Sequence, residues 1–121
     1  MTSLPQIDPQ RWEEVWAADL DVLNNLTQQG DRPEIARMID VSFRGSDTAL
    51  DQLEASAANF GFRVQSRDPN GSDEPWLFLE RVQTTDIEAM KEFTATYLHI
   101  EDTFGVECDG WGCVAQNGIA E

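Results

Sequence analysis

Residues 62–82 read FRVQSRDPNGSDEPWLFLERV, and how this stretch folds decides the architecture. Phe62 and Val64 alternate with polar residues, the pattern of a half-buried strand. Residues 68–75, DPNGSDEP, are dense in turn formers. A second apolar run follows over residues 76–82. Two such runs joined by turn residues predict a β-hairpin. The loop has a passing likeness to a calcium loop. Counted from Asp68, however, its sixth position is Asp73 and its twelfth Leu79, where an EF-hand requires glycine and glutamate, and strands rather than helices flank it.

Outward from the hairpin, each side carries a helix. Upstream, Gly45-Ser46-Asp47 supplies a turn and a cap. Leu50, Leu53, Ala57 and Phe60 then recur at helical spacing, with Gly61 as the stop. Downstream, Thr85 and Glu88 have the spacing of a capping box, and Ile87, Met90, Tyr97 and Phe104 mark a helix ended by Gly105. Beyond these lie two outer strands. One covers about residues 36–44, a β-rich run in which Met38, Val41 and Phe43 alternate only partially and Ile39 reads as off-phase; the other covers residues 106–115. In front stands a further helix, capped by Asp8 and Pro9, with Glu13 and Glu14 early in it. Trp12, Val15, Trp16, Leu20, Leu23 and Leu26 form its apolar stripe, Gly30 stops it, and Asp31-Arg32-Pro33 reads as a linker.

The order is α, then β-α-β-β-α-β. The fold expected is α+β: a ferredoxin-like split β-α-β sandwich with a four-stranded antiparallel sheet and an extra N-terminal helix. Two helices would cover one sheet face, and the tryptophans of the first helix need a surface of their own. The expected organisation is a flexible lead over residues 1–7, one domain over 8–116 and a frayed tail over 117–121.

Charge narrows the function. The 121 residues hold 23 acidic and 8 basic side chains, a formal net charge of −15. Such a field repels phosphate backbones, so direct nucleic-acid binding is not expected. It attracts basic partners, although acidity also simply keeps a small protein soluble. No segment approaches the roughly 18 apolar residues of a membrane helix. The N-terminus lacks a signal peptide, so a reducing cytoplasm is the expected setting.

No metal, cofactor or catalytic residue is expected. His99 is the single histidine. With Glu101 and Asp102 it makes at most a weak cluster on a solvated helix face, and Cys108 and Cys113 are too few for a structural zinc site. A cysteine paired with His99 could act as a nucleophile, but nothing in the spacing brings them together.

The remaining motif is CDGWGC, residues 108–113. In a regular strand the two cysteines point to opposite faces, so two free thiols are expected. Cys108, Gly110 and Gly112 would share one face, and Asp109, Trp111 and Cys113 the other. The glycines suit a bulge or a close backbone contact. Trp111 is either a packing anchor or an exposed recognition ring, and strand physics favours the anchor.

The final strand, VECDGWGCVAQ, resembles the closing segment of the RraB family, regulators of ribonuclease E activity, which ends in a similar acidic strand with Asp-Gly-Trp-Gly. Asp109-Gly110-Trp111-Gly112 carries the match. The acidic helix ending near Gly30, the Asp/Pro linker, the strand leading to Phe43 and the helix before Phe60-Gly61-Phe62 follow in the family's order. Cys113 departs from it, standing where a threonine is common. The resemblance implies a non-enzymatic inhibitor with a ferredoxin-like fold. Its partner would be ribonuclease E or another basic protein segment, since ribonuclease E carries basic, disordered segments in its noncatalytic half. The expected partner surfaces are Asp109, Gly110, Trp111 and Gly112, and the acids of the first helix, Glu13, Glu14, Asp19 and Asp21. An alternative from another class is a small-molecule or effector-binding module at the sheet near Trp111.

Overall fold

The computed structural model describes residues 8–68 and 74–113. The expected lead over residues 1–7, the middle of the turn-rich loop and the expected tail over 117–121 lie outside the described residues. Three helices and four strands follow in order: α1 (Pro9–Gln28), β1 (Arg37–Arg44), α2 (Asp47–Ser56), β2 (Arg63–Asp68), β3 (Trp76–Gln83), α3 (Ile87–Phe104) and β4 (Glu107–Cys113). A 3-10 turn, Ala57–Phe60, extends α2.

Side-chain caps set the helix starts. Asp8 accepts from Gln10 N, Ser46 from Ala49 N and Asp86 from Ala89 N. The last of these replaces the capping box expected at Thr85 and Glu88. Thr85 is buried, and its hydroxyl instead donates to Asp31 Oδ2 at 3.3 Å. At the end of the 3-10 turn, Gly61 takes φ +80°, and Phe62 N returns to Ala57 O at 3.1 Å. Only a residue without Cβ takes this left-handed step freely, and it turns the chain directly into β2.

The sheet is antiparallel throughout, in the order β2-β3-β1-β4. β1 and β2 run the same way with β3 between them, and β3 and β4 the same way with β1 between them. The two β-α-β units are therefore interleaved. The helices pack on the face that carries Ile39, Val41, Phe43, Leu77 and Leu79, all fully buried. Each such side chain contributes roughly 1.5–3 kcal/mol through its removal from water. The phase expected for β1 is corrected here. Ile39 points inward with Val41 and Phe43, whereas Met38 is 39% exposed on the opposite face beside Val82.

α1 lies against α3. Trp12 and Trp16 stack on each other with rings 5.9 Å apart, and both pack on the core margin. The segment after α1 is more than a linker. Asp31 and Arg37 form a buried ion pair, and Arg37 Nη2 also donates to the carbonyls of Arg32 at 2.8 Å and Ile35 at 2.9 Å. Thr85 N donates to Pro33 O at 3.0 Å, so this clamp ties the segment to the start of α3.

Candidate functional site

In the ladder between β1 and β4, Phe43 faces Cys108 and Ser42 faces Gly110, which leaves Asp109 as an extra residue. This is a β-bulge, and Gly110 beside it has φ +132°, a conformation that side chains disfavour. The extra residue shifts the alternation by one. Trp111 then faces Val41 and Cys113 faces Ile39, so Cys108, Trp111 and Cys113 all meet the core. The face expected for Cys108 is therefore corrected. The two cysteines share a face, but their β1 partners are four residues apart, about 13 Å along the strand. That exceeds disulfide reach, and both thiols are free.

Trp111 is half-buried. Its indole Nε1 donates to Asp19 Oδ1 at 3.0 Å, and its ring meets Phe93 edge-on at 5.8 Å. The other carboxylate oxygen, Asp19 Oδ2, accepts from Thr94 Oγ1 and Tyr97 Oη, both at 2.7 Å. One carboxylate thus joins α1, α3 and β4. Burial and the adjacent Asp19 carboxylate push the Tyr97 phenol far up, so it stays a donor. Asp19 is only 7% exposed and is not part of an accessible acidic face. This corrects its expected place. Glu13, Glu14 and Asp21 are exposed as expected. Asp109 and Gly110 are exposed, and Gly112 is half-buried.

A second carboxylate closes the arrangement. Glu101 pairs with Arg11 of α1 and accepts from Cys108 N at 2.7 Å. Between α1, α3 and β4 these groups border an open groove of about 320 Å³. Burial, and after it the charges of Glu101, Asp19 and Asp109, push the Cys108 thiol up to about 12. Burial also raises Cys113. A thiol that stays protonated is a poor nucleophile. Alkylation of Cys108 at pH 8 should therefore run about a thousandfold slower than that of a free cysteine. It should speed up about tenfold per pH unit towards pH 11, while urea-unfolded chain reacts at once. Rapid labelling of Cys108 in folded protein at pH 7, read by peptide mapping, would contradict this environment.

His99 and Glu101 do not converge. The imidazole lies against Phe60 at 5.7 Å, and Glu101 turns to Arg11. Among the described residues, no group of three or more His, Cys, Asp or Glu side chains could hold a metal ion. No helix there is long and apolar enough to cross a membrane.

The sequence model of the family described as Regulator of ribonuclease activity B matches residues 16–113. The chain belongs to the RraB family. Among curated proteins, no relative matches it. The family is one of ribonuclease regulators, which is consistent with a regulatory role here. In this RraB-family chain the matched span holds Asp19, Thr94, Tyr97, Glu101, the bulge and Trp111. Arg11 lies ahead of it.

Sequence reasoning missed Thr94, Tyr97 and Glu101 as partners of the motif. For Asp19 a signal existed. It stands four residues after Val15 and four before Leu23, within the apolar stripe of α1, while Glu14 and Asp21 lie off it.

Proposed function

We propose that this RraB-family protein is a non-enzymatic cytoplasmic regulator that binds and inhibits ribonuclease E or a related RNA-processing protein. The contact is protein to protein, through the acidic surface. One observation carries this reading. All seven arginines form an ion pair with a carboxylate, and Glu13, Glu14, Asp21 and Asp109 remain exposed without an ion pair among the described residues. The arginines are thus locally neutralised, and the surplus facing solvent is negative. A basic, disordered segment is the complement of such a surface, and RNA is not. We also class the sandwich as ferredoxin-like, a reading supported by the strand order and the interleaved β-α-β units.

The test is calorimetry of the purified protein against the C-terminal half of ribonuclease E, at low and at physiological salt. Saturable binding that weakens steeply with salt is expected, because exposed charge pairs are screened beyond roughly 8–10 Å at physiological ionic strength. Binding indifferent to salt would remove the electrostatic basis. No binding in either buffer would remove ribonuclease E as the partner.

A further inference from the structure

We propose that the groove between α1, α3 and β4 is the docking point of the basic partner segment, and that it takes an arginine or lysine side chain beside Asp109, Tyr97 and Trp111. This rests on the regulator reading and gives it a place.

The groove suits that occupant in size, lining and charge. About 320 Å³ is at the low end of ligand pockets, roughly 300–1,000 Å³, so it fits one or two side chains better than a large cofactor. One wall is apolar: Val15 is half-buried and Val22 is 42% exposed on α1. Arginine and lysine lay aliphatic stems along such a wall while their charged heads seek carboxylates. Opposite stands Asp109, exposed and held out by the bulge. A Cβ built on Gly110 meets nothing within 4 Å, so the space over the bulge is open.

Charge points the same way. Asp19, Glu101 and Asp109 line the groove against one cation, Arg11, which Glu101 already holds. Burial first, and then these same three carboxylates, raise the Cys108 thiol, in keeping with their charge inside the groove. The larger groove of about 550 Å³ beside Gly61 lacks this bias, because there Arg81 offsets Glu92 and leaves only Glu88. A cation entering beside Asp109 therefore gains more than one meeting the scattered acids elsewhere.

The experiment uses the full chain, labelled with nitrogen-15, and two probes: a twelve-residue arginine- and lysine-rich peptide and the C-terminal half of ribonuclease E. Peptide binding should move the Trp111 indole N–H and the Gly110 amide first. Asp109→Lys should weaken both probes about tenfold, and Asp109→Asn by less. Glu88→Lys, the same charge change at an exposed acid outside this groove, should weaken them by less than about threefold. The proposal is overturned if the peptide does not bind, if the groove resonances stay still, or if Asp109→Lys and Glu88→Lys act equally. A peptide seated in the groove with no ribonuclease E binding would keep the site and remove that partner. Ribonuclease E binding weakened equally by both variants would keep the partner and remove the site.

Discussion

Asp19→Ala is expected to cost about 3–4 kcal/mol of folding stability, a large share of the roughly 5–15 kcal/mol typical of a small protein. The side chain accepts three hydrogen bonds, from Thr94, Tyr97 and Trp111. Its removal leaves three donors short of an acceptor in a buried site, and hydrogen bonds to a charged group are worth about 1.5–3 kcal/mol each. Some water will enter from the groove, so the losses do not add in full. Asp19→Asn should cost less, about 2 kcal/mol, because one acceptor oxygen remains while the new amide faces a donor. Urea unfolding gives the numbers, as a fall in midpoint at unchanged slope. The Trp111 indole N–H resonance should shift in both variants. If Asp19→Ala unfolds at the wild-type midpoint, the carboxylate does not hold α1 to α3 and β4.

The buried pair of Asp31 and Arg37 should show a comparable effect with a different signature. Arg37→Met leaves the Asp31 carboxylate buried beside Thr85, and breaking such a pair costs about 3–5 kcal/mol. Asp31→Leu strands the guanidinium in the same way. The double variant removes both charges and should recover most of the loss, because burying two ions carries a desolvation penalty that apolar side chains avoid. Urea midpoints of the two single variants and the double variant form a thermodynamic cycle. Losses that simply add would mean that the two residues act separately. Hydrogen exchange at the Thr85 amide, which bonds to Pro33, should quicken in the single variants, since Arg37 also holds the carbonyls of Arg32 and Ile35.

The two networks differ in how far they could be read from the chain. Asp19 carries a helical phase: its place between Val15 and Leu23 marks it as inward, even though by residue type it matches Glu13, Glu14 and Asp21. Arg37, the first residue of β1, shares the inward phase of Ile39, Val41 and Phe43. Asp31 carries no phase, because it lies in a loop where no periodicity separates a buried charge from a solvated one. The burial of Asp31 follows from the β3–α3 connection packing on the segment, a contact between residues 54 apart in the chain at Thr85 and Asp31.

The order of helices and strands was determined by the sequence alone. Apolar residues at a period near 3.6 or 2, glycine stops and turn clusters are local properties, and a short window of the chain is enough to read them. The family match, over residues 16–113, is likewise a property of the sequence. Tertiary structure alone decided which side of β4 each motif residue faces. The bulge at Asp109 exists only in the pairing with β1, where one strand has a residue more than its neighbour, and side-chain direction depends on that count. With the parity reset, Trp111 reaches Asp19, Cys108 meets the core, and Asp109 stands over a groove that α1 and α3 complete.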